Sequence, residues 1–179
     1  MYKLGDYVVN ANNGVCRIED IVTMSMPKEK KKKECFLVVP VSARTSRLYV
    51  PVDSDKNQIR PIMTREEAEE LIEDICSIEA AWIENDKTRE QVYKDAIFSC
   101  QPRRLVSILK TMYQRGIKRQ AEGKKITTID ERYFRIAEKN LHSELAFVLD
   151  KDMDEMKKTI MEKVIKAENK EASNGVISD

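Results

Sequence analysis

Histidine occurs once in this chain, as His142, and tryptophan once, as Trp82. Cysteine is scarce and scattered: Cys16, Cys35, Cys76 and Cys100 form no C-x-x-C pair. With one histidine and no paired cysteines, a zinc constellation of the usual spacing is excluded. The four thiols are expected to be reduced and mostly buried, as in a cytosolic protein. No apolar run approaches the ~18 residues of a membrane span, and the N-terminal residues Met1-Tyr2-Lys3-Leu4-Gly5-Asp6 lack the apolar stretch of a signal peptide. A soluble protein of the cytoplasm, with no membrane partner, is therefore expected. A phosphate-binding glycine loop is also missing, and His142 has no arrangement of Ser, Cys or Asp that it could serve. The chain is read as a non-enzyme, without cofactor, metal or small-molecule substrate.

What is present is charge, and it is segregated. The formal net charge of +1 conceals an acidic block beside a basic one. Residues 66–86 carry nine acids and no Lys or Arg, whereas residues 87–149 carry fourteen Lys or Arg against seven acids. Whole-chain neutrality thus says little about partners.

The pattern of the chain changes near Pro61, from strand-and-turn sequence to helix-periodic sequence, which divides 179 residues into two domains. In the first part, Tyr7-Val8-Val9 and the alternating stretch from Gly14 to Ile21 flank an Asn12-Asn13-Gly14 turn. Cys35 to Val39, Arg47 to Val50 and Gln58 to Arg60 read as three further short strands. Five closely spaced strands predict a small SH3-like or Tudor-like β-barrel over residues 1–62. The lysine-rich tract Lys30 to Lys33 falls where a hairpin tip is expected, and a solvated loop is its simplest reading. Pro51 limits the pairing of the fourth strand. That fits an edge strand open to a strand from another protein.

Residues 63–170 predict an all-α domain, so the fold class is α+β with two domains. Thr64-Arg65-Glu66-Glu67 is a capping box opening a helix with an acidic outer face. Val92, Tyr93, Ala96 and Ile97 mark a second helix, and Pro102 opens a third. On that third helix Leu105, Ile108, Leu109 and Met112 form an apolar stripe, which projects Arg103, Arg104, Lys110, Arg115 and Lys118 largely onto the opposite arc. A fourth helix, capped by Thr127 or Thr128, turns Tyr133, Ala137, Leu141 and Leu145 inward and places Arg132 on its outer stripe. A fifth begins near Asp152. The polar tail, residues 171–179, is expected to be unordered.

Residues 103–125 concentrate eight basic side chains, Arg103, Arg104, Lys110, Arg115, Lys118, Arg119, Lys124 and Lys125, against the single acid Glu122. Such a surface suits contact with a phosphate backbone without base selectivity. An ordinary solvated face is the alternative. Trp82 lies between the two charge blocks. A lone tryptophan is most often core, and the alternative is an apolar wedge against an unstacked base step.

In their order and spacing, Leu4-Gly5-Asp6-Tyr7-Val8-Val9, Asn13-Gly14-Val15 and Tyr49-Val50-Pro51-Val52 resemble the start of the CarD family of bacterial transcription regulators. The segments Trp82-Ile83-Glu84-Asn85-Asp86-Lys87-Thr88-Arg89, Glu122-Gly123-Lys124-Lys125 and Asp130-Glu131-Arg132 resemble its clostridial-type branch. This resemblance implies that the N-terminal domain docks on the RNA polymerase β subunit by edge-strand pairing. Thr45, Ser46, Arg47, Leu48, Tyr49 and Val50 would form the docking strand, with Tyr49 standing where better-known members have an arginine. The resemblance further implies that the helical domain contacts promoter DNA at the upstream edge of the transcription bubble, with a tryptophan as minor-groove wedge. In the family pattern that tryptophan lies four residues before a Tyr-Lys pair. Here Trp82 lies eleven before Tyr93-Lys94, and Arg89 holds the nearer position. Arg89 and Arg132 thus join the basic residues above as candidate DNA contacts. The expected function is stabilisation of the open promoter complex, by a protein held at the nucleoid through polymerase. The rival expectation is a protein-only adaptor of polymerase or of a repair helicase, using the acidic helix.

Overall fold

The computed structural model describes residues 2–25, 32–53, 59–83 and 85–175. It divides into two compact units, Met1–Ile62 and Met63–Asp179. Five antiparallel strands form the first: β1 (Tyr7–Asn10), β2 (Gly14–Ser25), β3 (Lys32–Pro40), β4 (Leu48–Pro51) and β5 (Ile59–Pro61), in the order β4-β3-β2-β1-β5. The β1–β2 turn is built by its asparagines. The Asn10 Oδ1 accepts the Asn12 N–H at 3.1 Å and the Asn13 Nδ2 at 2.8 Å, and Gly14 returns the chain with φ +68°.

Alternate residues then point to one side. Val8 pairs with Cys16, Ile18 with Val38 and Phe36 with Val50, and these six side chains form the core of the unit. A bulge between Ile18 and Asp20 lets β2 bend while Ile21 and Phe36 remain in register. Burial pushes the Cys16 thiol up to about 12. The expected barrel is corrected in one respect: among the described residues β4 and β5 do not pair, and the sheet stays open. Each of these short edge strands ends in a proline, Pro51 or Pro61, which lacks the N–H that closure would use. The lysine tract also differs from expectation. Lys32 and Lys33 belong to β3, paired with Ser25 and Met24, while Lys30 and Lys31 lie outside the described residues.

The second unit holds α1 (Arg65–Asp74), α2 (Arg89–Phe98), α3 (Pro102–Ala121), α4 (Thr128–Leu149) and α5 (Met153–Gly175). Thr64 and Glu67 form the capping box, Pro102 occupies the first turn of α3, and the Thr127 hydroxyl caps α4 through the Asp130 N–H. The core combines Leu105, Ile108, Leu109 and Met112 of α3, Tyr133, Leu141 and Leu145 of α4, and Met156, Ile160 and Val164 of α5. Glu144, fully buried among them, accepts the Met63 N–H at 3.1 Å. Helix α5 runs on past Glu171, where an unordered tail was expected, and residues 176–179 lie outside the described residues. No helix of the described residues is long and apolar enough to cross a membrane.

Candidate interaction surfaces

Two elements carry the residues singled out by sequence. In the first unit, β4 is an edge strand bonded to β3 on one side. The Val52 N–H bonds to the Glu34 carbonyl at 3.0 Å, which sets the phase of the ladder. Strand backbone alternates, so Leu48 and Val50 direct their N–H and C=O toward β3 while Tyr49 and Pro51 direct theirs to the open edge. Pro51 contributes only a carbonyl there, leaving Tyr49 as the residue of β4 offering both a donor and an acceptor. Tyr49 is 44% exposed, and Val50 is buried. The expected docking strand from Thr45 to Val50 is corrected at its start: Thr45 lies in a turn closed by the Ser46 N–H on the Ala43 carbonyl, and Arg47 precedes the first strand residue. Thr45, Ser46 and Arg47 are all exposed.

In the second unit the segment between α1 and α2 contains Trp82, which is 85% exposed. The expectation that a lone tryptophan is core is therefore overturned. The backbone that carries it is bound to α3. The Lys110 Nζ donates to the carbonyls of Ile78 at 2.5 Å and Cys76 at 3.4 Å, and the Ser107 hydroxyl donates to that of Glu79 at 2.7 Å. Ala81, next to the tryptophan, is held at both ends: its N–H reaches the Ser107 carbonyl at 3.2 Å, and its carbonyl accepts the Thr111 hydroxyl at 3.1 Å.

Beyond Trp82 the chain is tied down by charge. Asp86 bridges two guanidinium groups, Arg89 at 3.2 Å and Arg115 at 3.0 Å. Both arginines also face Asp130, at 3.4 and 3.8 Å. Asp130 is buried and takes hydrogen bonds from the Tyr93 hydroxyl at 3.0 Å and the Thr127 hydroxyl at 2.7 Å. Burial and, next, the Asp130 charge raise the Tyr93 phenol above its ordinary range. This network joins α2, α3 and α4, and it engages two of the candidate DNA contacts, Arg89 and Arg115, in ion pairs with Asp86 and Asp130.

Lys110 requires the clearest correction. Rather than lying on a solvated cationic arc it is fully buried, because residues 76–81 cover the side of α3 that helical projection left open. Among the other candidates, Arg103 pairs with Asp74, Lys124 with Glu122 at 2.8 Å, and the Arg119 Nε donates to the Lys125 carbonyl at 2.8 Å. Arg132 sits over the Tyr133 ring, 5.5 Å from its centre. Arg104, Lys118 and Lys125 are exposed. Sequence reasoning passed over Ser107, Thr111 and Asp130. The available signal was the set of polar residues, Ser107, Lys110 and Thr111, interleaved with the apolar stripe of α3.

Of the cysteines, Cys16, Cys35 and Cys100 are buried and Cys76 is exposed. His142 is buried with its Nε2 unpaired, and desolvation, aided by the Lys157 charge, lowers it to about 4. Among the described residues no group of three or more His, Cys, Asp or Glu is placed to hold a metal ion. No curated protein matches the chain. Residues 2–63 match the family model described as CarD-like/TRCF RID domain; the match covers the sheet unit that presents the β4 edge and ends where the helical unit begins.

Proposed function

We propose that this protein is a non-enzymatic transcription regulator that docks on the RNA polymerase β subunit through the β4 edge and contacts promoter DNA through its helical unit. The docking rests on the family match and on the outward main-chain groups of Tyr49. The DNA contact rests above all on one observation, the 85% exposure of Trp82. A large apolar ring kept in water loses hydration by stacking against an opened base step at the upstream fork. Arg104, Lys118 and Lys125 add phosphate contacts without sequence readout.

A protein that meets its DNA surface favourably only when the duplex is melted shifts the closed–open equilibrium toward open. Roughly 1.4 kcal/mol of such differential contact changes the ratio about tenfold. The test is the lifetime of open complexes formed by the cognate polymerase. Wild-type protein lengthens it, and Trp82→Ala and the triple charge reversal of Arg104, Lys118 and Lys125 to Glu each remove most of the gain while polymerase binding persists. Full retention of the effect in both variants would instead favour the protein-only adaptor, whose contact surface would be the exposed acids Glu66, Glu69, Glu70 and Glu73 of α1.

A further inference from the structure

We infer that Lys110, Ser107 and Thr111 are positioning residues for Trp82, forming a strap that fixes an otherwise irregular segment so that its indole projects into solvent in one orientation. The inference rests on the reading of Trp82 as the DNA-contacting side chain.

Residues 76–81 belong to no helix or strand, so their main-chain groups lack the partners that regular structure supplies. Side chains of α3 supply them instead. Three hydrogen-bonding residues at i, i+3 and i+4 lie on one face of the helix: Lys110 meets the carbonyls of Cys76 and Ile78, Ser107 that of Glu79 and Thr111 that of Ala81. Lys110 suits its place. An ammonium has three donors and no acceptor, and the carbonyls it meets follow the C-terminus of α1, where the helix dipole is negative. Burying a lysine on carbonyl oxygens is an expensive way to fill a core position. The arrangement makes sense where the exact path of the covered segment matters.

Thr111 has one hydroxyl proton, shared between the Ala81 carbonyl and the Ser107 carbonyl of its own helix at 3.0 Å. The first of these bonds sits one residue from Trp82. With the Ala81 N–H also held, the peptide leading into Trp82 is restrained on both sides. A tryptophan on a loose loop must be ordered when it binds, and that entropy is subtracted from its affinity. A strapped one has been ordered by folding.

Because Trp82 is the sole tryptophan, fluorescence excited to the red of tyrosine absorption reports this segment of the full chain alone. Thr111→Val removes the hydroxyl at constant shape, Thr111→Ser keeps it, and Lys110→Met keeps the stem and removes the donors. In Thr111→Val and Lys110→Met, Trp82 anisotropy should fall and open-complex lifetime should drop about tenfold toward the Trp82→Ala value, whereas Thr111→Ser should stay within about twofold of wild type on both. If Lys110→Met fails to fold, the valine and serine pair carries the test. Unchanged anisotropy and lifetime in Thr111→Val, alongside a shortened lifetime in Trp82→Ala, would overturn the strap and leave the DNA reading standing. A Trp82→Ala protein that lengthens lifetimes as well as wild type would overturn the DNA reading and the role given to the strap with it.

Discussion

Strand β4 and the Trp82 segment are exposed in opposite ways. β4 buries Val50 and turns the main chain of Tyr49 outward; the Trp82 segment turns its main chain inward onto α3 and leaves a side chain outside. The first is a backbone surface, tolerant of which side chain stands there. The second depends on one ring. The same physical rule produces both, since main-chain polar groups must be paired with protein or with water. An edge strand leaves them for a partner strand, and an irregular segment can be rigid only if its own protein takes them all.

The largest expected effect tests what anchors the second kind of surface. Asp130→Ala leaves the two arginines without their buried counter-charge and frees the Tyr93 hydroxyl, so chemical denaturation should show a loss of ~3 kcal/mol, with a fall in Trp82 anisotropy as Asp86 loses its partners' alignment. A loss below about 1 kcal/mol would mean the network is solvated and the segment is held by α3 alone.

Acid separates the two units next. His142 has its folded value lowered from 6.5 to about 4, so its contribution is fully present above pH 6.5 and is lost as pH falls toward 4. The helical unit should lose ~3 kcal/mol from this group over that range, read as the difference in pH slope between wild type and His142→Leu. Parallel slopes would show that His142 protonates as freely in the fold as out of it.

Smaller and more specific is Tyr49→Pro. It removes the outward N–H without taking a bond from the β3–β4 ladder, so polymerase affinity should fall by about tenfold, ~1.4 kcal/mol, with little change in folding. Tyr49→Phe should be nearly silent. If phenylalanine weakens binding as much as proline does, the edge is read by its side chain and the contrast with Trp82 disappears. Smallest of all is the stability change in Trp82→Ala. An indole so exposed should contribute under about 0.5 kcal/mol to folding, measured as thermal or denaturant midpoint, whatever its effect on open complexes.

Much of the fold was legible because it depends on local periodicity. Alternation over Gly14 to Ile21 located β2, the capping box at Thr64 located α1, and Pro102 marked the start of α3, each through a constraint acting within a few residues. The open edge was legible from Pro51 for the same reason. Arg47 reads as strand because nothing local marks where pairing with β3 stops, whereas Thr45 and Ser46 enter the docking segment only through the family resemblance. Closure of the barrel was misjudged because β4 and β5, though neighbours in sequence, are the two outer strands of the sheet, and whether those edges meet depends on how the whole sheet curves rather than on any local pattern.

Within the charge reading Lys110 is the misplaced residue, and for a definite reason. Projecting α3 places Lys110 by angle about one helix axis and says nothing of what lies over each side. Residues 76–81 have neither period, so sequence gave no reason to lay them across that face, and both the burial of Lys110 and the exposure of Trp82 follow from that placement. Arg89 and Arg115 were counted as cations for DNA because their counter-ions, Asp86 and Asp130, come from other parts of the chain. The order of residues thus fixes the elements, their caps and the buried stripes, since these rest on short-range sterics, hydrogen bonding and apolar spacing. Which charges face water and which ring is left outside is set by packing, because desolvation and ion pairing depend on neighbours in space that the order of residues does not specify.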